Sequence, residues 1–289
     1  MITMDVQRLL SSIDCGHNAH HLRRFLDGLA VKGNVERTKT NQLYALRPFL
    51  KDFRSRDLGR VNQFDIATFL EGLPGLGFGE ERVQYIRRIV RAFLTQIRGK
   101  EFASFIRVKI VWSKLRKSDL IGREELTRLI ESCTCLRNKA IFSMLYDGAL
   151  RRQELLNLRL CDLDLEGRPA HITVCGTKGQ RTIPLTFSAV YLKQYLKAQG
   201  RLGNRKARLW EIGEAGLAKI IWKAGRKTRM EKRLYPYLFR HSRLTELANH
   251  LTDQQLKYFA GWVQNSKMMQ IYCHLSTVDL DGAVARIRA

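Results

Sequence analysis

Residues 171–185, HITVCGTKGQRTIPL, carry the clearest strand pattern in the chain. Two runs rich in β-branched residues, 171–175 and 181–185, flank the turn sequence GTKGQ, which is typical of a β-hairpin. The hairpin would carry Lys178 at its tip. Because no comparable strand pattern stands elsewhere, the sequence predicts a mainly helical protein with one small sheet.

Helical periodicity accounts for much of the remaining chain. Apolar positions recur at three- and four-residue spacing in several stretches, which predicts helices over 40–53, 64–70, 81–97, 123–133, 139–146 and 151–158. More helices are predicted after residue 187. Between residues 98 and 120 the periodicity fades and basic residues accumulate, as in a linker. We therefore predict an all-helical domain over residues 1–113 and a mixed α/β, mostly helical domain over residues 114–289.

The composition is that of a globular protein with an unusual charge. Of 289 residues, 45% are hydrophobic and 27% charged, which excludes a wholly disordered or collagen-like chain. Lysine and arginine number 51 against 27 acidic residues, a net charge of +24. So large a positive charge, present in both predicted domains, indicates a polyanionic partner such as double-stranded DNA.

Targeting and metal signals are weak. No uncharged apolar run approaches the roughly 20 residues that span a bilayer, and the N-terminus lacks a signal-peptide pattern, so we expect a cytoplasmic protein with no membrane partner. The six cysteines are scattered, as in a chain of reduced thiols. Cys133 and Cys135 have no second pair to complete a zinc site, and no metal is expected.

Four separated motifs share an order and spacing with a known family. They are GALRRQEL (148–155), the hairpin lysine Lys178, YLFRH (237–241), and GW (261–262) followed by YCHLS (272–276). Together they resemble the tyrosine recombinase (phage integrase) family, and the ending AGWVQNSKMMQIYCHLS is most similar to archaeal integrases. The resemblance implies a helical, SAM-like core-binding domain, a catalytic domain, and DNA cleavage through a covalent 3′-phosphotyrosine without a cofactor. It also implies a homotetramer acting on two DNA sites.

The resemblance assigns the reacting groups. Tyr272 would be the nucleophile, and Arg151 and Arg240 would clamp the phosphate oxygens. The chemistry needs them because a phenol with a pKa of about 10 must attack an anion, so the site has to supply positive charge. Forked guanidinium groups suit two phosphate oxygens in a way that lysine does not.

Other positions would assist. Lys178 would protonate the leaving 5′-oxygen, a task suited to lysine because arginine does not give up a proton. Two other basic residues near the hairpin, Arg181 and Lys193, are alternatives for this position. The indole N–H of Trp262 is a donor suited to a phosphate oxygen. Glu154, one helical turn after Arg151, would hold a neighbouring basic or polar group in place.

Tyr237 departs from the family pattern. The family has histidine, sometimes lysine, three residues before the second arginine, and tyrosine stands there in this chain. A phenol can donate a hydrogen bond to phosphate, but near pH 7 it is a poor general base. His241 and His274 are interpreted as packing or supporting residues.

The sequence leaves several functions open. We expect a site-specific recombinase that integrates or excises a mobile element and is associated with the nucleoid. A Xer-like chromosome-resolving recombinase and a type IB topoisomerase share this chemistry. A DNA-binding accessory protein that has lost activity through the Tyr237 change is a fourth possibility. Apolar spacing over residues 278–287 predicts a helix that docks on a neighbouring protomer.

Overall fold

The structure is a computed structural model that describes residues 7, 9, 11–31, 33, 35–109, 111, 115–176, 179–200, 204–266, 268, 269, 271 and 272. Backbone contacts divide the chain into two compact units, Met1–Trp112 and Ser113–Ala289. The DNA-binding role expected of the first unit stays a prediction. The predicted helix over residues 278–287 lies outside the described residues.

Helices make up the described part of the first unit. They are α1 (Gly16–Val31), α2 (Glu36–Asp52), α3 (Gln63–Gly72) and α4 (Glu80–Phe102), with short 3-10 helices at Leu73–Leu76 and Ala103–Phe105. Their apolar faces meet in one core that includes Phe49, Phe69 and Phe93. Helix α1 was not predicted, because its apolar positions are spread among histidines and arginines. Its buried Asn18 donates hydrogen bonds to the carbonyls of Phe53 and Arg56, which ties it to the loop after α2.

The described part of the second unit combines helices with a small sheet. Its elements are α5 (Arg123–Glu131), α6 (Leu136–Asp147), α7 (Arg152–Asn157), β1 (Leu163–Asp164), β2 (Ala170–Gly176), β3 (Gly179–Leu185), α8 (Ser188–Gln199), α9 (Glu214–Lys227), α10 (Pro236–Leu247) and α11 (Asp253–Ala260). Short 3-10 helices lie at Lys117–Asp119 and Leu160–Asp162. Helix α6 is central, since it packs against α5, α8 and α10.

The sheet is antiparallel in the order β1, β2, β3. The pairing of Gly176 with Gly179 brings β2 and β3 together at the tip, and Val174 pairs with Arg181. Burial alternates along β3, so the positions of Arg181, Ile183 and Leu185 face inward. An arginine at an inward position needs a buried partner for its charge, and that partner belongs to the site described below.

The predicted fold class, mainly helical with a small sheet, is confirmed. The predicted hairpin is present, and the sheet gains the strand β1, whose two residues are too few to give a period-two pattern. Among the described helices, none is long and apolar enough to cross a membrane.

Candidate active site

Tyr272 is a buried core residue whose ring contacts two other rings. It stacks on Trp262 with ring centroids 5.2 Å apart and an interplanar angle of 29°. The imidazole of His241 also lies close to the phenol, with ring centroids 5.5 Å apart. The Tyr272 hydroxyl and Nδ1 of His241 form a hydrogen bond of 2.9 Å. Tyr272 is 0% exposed, so its phenol is held by these rings.

Burial is the main influence on the ionisation of Tyr272. Burial raises the pKa of its phenol well above the ordinary value, and the negative charge that Tyr237 can carry raises it further. The positive charges of Arg240 and Arg151 act in the opposite direction. The phenol is therefore protonated at neutral pH, and two guanidinium groups lie near enough to favour its ionised form.

Arg240 lies one turn after Tyr237 on α10, a helix that begins with Pro236, and its side chain is fully buried. Its Nη1 donates to the carbonyl of Ala149 at 2.6 Å, and its Nη2 donates to the carbonyl of Ala260 at 2.5 Å. Among the described residues, its buried Nε has no hydrogen-bond partner. Burial, followed by the charge of Arg151, lowers the pKa of Arg240 to about 10, so it remains a cation at neutral pH.

Glu154 is the shared carboxylate of three arginines. Its side chain accepts hydrogen bonds from Nη1 of Arg151 at 2.6 Å and from the Arg151 backbone N–H at 2.8 Å. The fork of Arg181 donates to both Glu154 oxygens at 3.0 Å. Arg240 lies farther from it, with Nη1 at 3.8 Å. Burial alone would raise the pKa of Glu154, but the bonds from Arg181 and Arg151 lower it to about 2.

The charges of this cluster do not balance. Within the described part of the site, one carboxylate faces the guanidinium groups of Arg151, Arg181 and Arg240. Buried cations are costly without a counter-charge, so the surplus favours an anionic ligand at this place. An anion held by arginines beside a buried phenol is the arrangement that nucleophilic attack on a phosphate requires.

An open cavity adjoins the cluster. Its lining includes Arg151, Gly176, Gly179 and Trp262. Lys178 falls between two of these lining residues in the chain but lies outside the described residues, as does His274. Their predicted roles stay predictions.

The other predicted residues meet around the phenol. Tyr237 is half-buried, and its ring packs edge-on against His241 at 4.5 Å between centroids. His241, interpreted from sequence as a supporting residue, lies in direct contact with the Tyr272 hydroxyl. Trp262 contacts the same phenol through its ring face.

Arg181 is the site residue that sequence reasoning placed differently. The sequence offers it as an alternative to Lys178, whereas its guanidinium is buried against Glu154 and its Nε donates to the carbonyl of Phe259 at 2.9 Å. A group so fully paired is a positioning residue, because it fixes the carboxylate that in turn holds Arg151. The available signal was its inward place in the alternating pattern of β3.

A substitution at Gly261 tests the importance of the ion pair between Arg181 and Glu154. Its φ of +63° is left-handed, and a Cβ built there would lie 2.7 Å from Nη1 of Arg181. Gly261→Ala should therefore push Arg181 away from Glu154, at a cost of about 2 to 4 kcal/mol of unfolding free energy in denaturant titrations. Gly200→Ala is the matched control, because Gly200 has a φ of +62° and no heavy atom within 4 Å of its Cβ position. It should cost only about 1 kcal/mol, and equal losses for both variants would show that the Arg181 contact is unimportant.

One group of potential metal ligands occurs among the described residues, in the first unit. Cys15, His17 and Asp57 each offer a ligand atom, and these atoms lie within 4.8 Å of one another. His17 Nδ1 and Asp57 Oδ2 already form a hydrogen bond of 3.2 Å, and Asp57 Oδ1 accepts from the backbone N–H of Gly59. These contacts account for the arrangement without a metal.

Comparisons with known proteins agree with the motifs. The model of the "Phage integrase family" matches residues 120–278. The tyrosine recombinase XerA of Saccharolobus solfataricus is 24% identical over 265 residues, covering 89% of this chain and 88% of that protein. XerC of Pelotomaculum thermopropionicum is 33% identical over 157 residues, covering 49% and 50%. The structure of a lambda integrase dimer bound to a COC′ core site matches with a TM-score of 0.69 at 14% identity, covering 92% of this chain and 79% of that one.

The family model covers more than half of the chain, and its match includes each of the motifs quoted from the sequence. The predicted resemblance is thereby confirmed. The chain belongs to the phage integrase family of tyrosine recombinases, enzymes that cleave and rejoin DNA.

Proposed function

We propose that this protein is a site-specific recombinase that integrates or excises a mobile DNA element. Its partner is double-stranded DNA, and four protomers act on two DNA sites. The observation that carries the proposal is the buried phenol of Tyr272 beside a cluster with surplus arginine charge. A nucleoid-associated, cytoplasmic location follows from the DNA partner.

The reaction begins with the Tyr272 hydroxyl attacking a backbone phosphate. Arg151 and Arg240 neutralise the charge that gathers on the phosphate oxygens, which is supported by their effect on the same phenol. Arg240 keeps three N–H groups after donating two to backbone carbonyls, and Nε is one of them. Its bonds to those carbonyls hold the guanidinium in place before any ligand binds, so little reorganisation is needed in the transition state.

Lys178, Trp262 and Tyr237 assist the cleavage of the phosphodiester bond. Lys178 protonates the leaving 5′-oxygen. The ring of Trp262 stacks on the phenol of Tyr272 and holds it in position. Tyr237 acts as a neutral hydrogen-bond donor. The phosphotyrosyl bond conserves the energy of the broken phosphodiester, so the 5′-hydroxyl reseals the strand without a nucleotide cofactor.

Resolution of chromosome dimers is a second candidate. It is favoured by the names of relatives matched over most of their length, among them XerA of Pyrococcus furiosus at 26% identity over 280 residues. Both candidates share the covalent step, and they differ in the DNA site that is recognised.

A pool of nicked suicide duplexes with randomised sequence tests the proposal. The protein should trap a subset of the pool as covalent adducts, and sequencing the trapped ends should give a common site. Paired duplexes carrying that site should then exchange strands. Relaxation of supercoiled plasmid without exchange would indicate a topoisomerase, and an absence of adducts would indicate an accessory protein.

The charge of the protein predicts a strong dependence of binding on salt. A net charge of +24 should place many cations on phosphates, with release of condensed counterions. We expect affinity for random and selected duplexes alike to fall by about a thousandfold or more between 50 and 200 mM salt, the range for six to ten phosphate contacts. Fluorescence anisotropy at a series of salt concentrations measures the slope, and a nearly flat line would contradict extensive phosphate contact.

A further inference from the structure

His241 lies in direct contact with the hydroxyl of the proposed nucleophile, Tyr272. Its Nδ1 lies 2.9 Å from the Tyr272 hydroxyl, the atom that attacks phosphate in the proposed reaction. The imidazole is 7% exposed and lies in contact with Tyr237 and Tyr272. This distance is within the reach that proton transfer to a base requires.

The protonation states favour His241 as the acceptor of this hydrogen bond. Burial, followed by the charge of Arg240, lowers the pKa of His241 to about 4, so its ring is neutral at pH 7. The phenol of Tyr272 keeps its proton at that pH because burial raises its pKa. A protonated phenol can donate, and a neutral imidazole with its proton on Nε2 offers a lone pair at Nδ1.

We propose that His241 is the general base that takes the proton of the Tyr272 hydroxyl during strand cleavage. This role rests on the function proposed above. In this chain the family's histidine position holds Tyr237, whose phenol is a poor proton acceptor at neutral pH. The edge-on contact with Tyr237 orients the imidazole for the task.

The step balances in atoms and charge. As Tyr272 Oη bonds to phosphorus, its proton passes to Nδ1 of His241. The bond from phosphorus to the 5′-oxygen breaks, and that oxygen keeps the electron pair and takes a proton from a separate acid, the role proposed for Lys178. On resealing, the 5′-hydroxyl attacks phosphorus and gives its proton back to that separate acid, which lost one during cleavage. The bond from phosphorus to Tyr272 Oη breaks, and His241 returns its proton to that oxygen.

The substrate itself would strengthen this base. Arg240 is the charged group that opposes protonation of His241, and among the described residues Tyr237 and Tyr272 are the titratable groups whose rings contact it. A phosphodiester anion bound to Arg240 offsets its positive charge. We therefore expect the pKa of His241 to rise when DNA binds, which moves the base toward the operating pH.

Single-turnover cleavage of a suicide duplex that carries the selected site tests whether His241 acts as the general base. His241→Asn keeps a short polar group near the position of Nδ1 but removes the base, and it should slow adduct formation about a hundredfold to ten-thousandfold at pH 7. Tyr237→Phe is the matched control, because it keeps the ring against His241 and removes only a hydroxyl, and it should retain more of its rate than His241→Asn. Affinity for DNA should be unchanged in His241→Asn.

Two chemical rescues separate a base from a structural residue. Fluorinated tyrosine at position 272 has a more acidic phenol, so it should restore much of the rate lost in His241→Asn. A substrate with sulfur in place of the leaving 5′-oxygen needs no general acid, and it should leave the His241→Asn defect in place. Rescue by the sulfur substrate alone, or a His241→Asn rate within about threefold of the native rate, would overturn the proposal.

The outcomes distinguish this role from the proposed function. If the native protein forms no adduct through Tyr272, the proposed function fails. If it forms the adduct and His241→Asn forms it equally fast, only the role of His241 fails. Should His241→Asn not fold, fluorinated tyrosine in the otherwise native chain provides the test. A base at His241 predicts that the acidified phenol leaves the midpoint of the pH profile of cleavage unchanged, because that midpoint reports the pKa of His241. A midpoint that moves to lower pH with the pKa of the phenol would refute the role.

Discussion

Tyr272→Phe is expected to abolish the covalent DNA adduct while leaving DNA affinity nearly unchanged. The variant keeps the ring that contacts Trp262 and His241 and loses only the hydroxyl. Removing a covalent nucleophile lowers turnover on the order of a millionfold in well-studied hydrolases. Denaturing gel electrophoresis of a labelled suicide duplex detects the adduct, and anisotropy measures the affinity.

Tyr258→Phe is the control for this experiment. Tyr258 is 59% exposed and contributes to the lining of the cavity that also includes Arg151. It should form adducts at the native rate. If Tyr272→Phe still forms an adduct and Tyr258→Phe does not, the nucleophile is Tyr258.

Glu154→Gln is expected to be strongly destabilising. The substitution keeps the size of the side chain but removes the negative charge that Arg151 and Arg181 share. Breaking a buried ion pair in this way costs about 3 to 5 kcal/mol, because the remaining cation stays buried. Chemical denaturation measures the loss, and Glu124→Gln, an exposed position of α5, should change stability by less than about 0.5 kcal/mol.

The same variant should alter how stability depends on pH. Burial raises the pKa of Glu154, but its arginine partners lower it from 4.5 to about 2 in the folded protein. Its stabilising contribution is therefore complete above about pH 4.5 and is lost as the pH falls through about 2. The difference in unfolding free energy between native protein and Glu154→Gln should shrink over this window, and a constant difference would show that the carboxylate is not ionically paired.

The sequence indicated much of this site because its reacting residues lie in short motifs. Sequence motifs identified Arg151, Arg240 and Tyr272, and the structure places the charges of both arginines near the phenol of Tyr272. The helices were predictable because each buries one apolar stripe in a core. The two-residue strand β1 was not, since its pairing with β2 depends on tertiary contact rather than on a local pattern.

The contacts of Arg181 and His241 could not be predicted from the sequence. The alternating pattern of β3 marks Arg181 as inward, but it does not identify the partner of its charge, because Glu154 lies 27 positions earlier. His241 likewise follows an arginine in a motif, and only the folded chain brings its Nδ1 to a hydroxyl 31 positions later. Long-range pairing of this kind is set by the packing of whole elements.

The complete burial of Arg240 and Tyr272 bears on how this family could lose activity through evolution. Both side chains are 0% exposed, so each fills space in the interior as well as serving the proposed chemistry. A descendant that no longer cuts DNA would still be under selection to retain them, because their replacement would leave cavities or unpaired polar groups. Retention of these two residues in a homologue is therefore weak evidence that the homologue is active. The partly exposed Arg151 and the residues of the hairpin tip should diverge first in such lineages, and they are the better markers of a working enzyme.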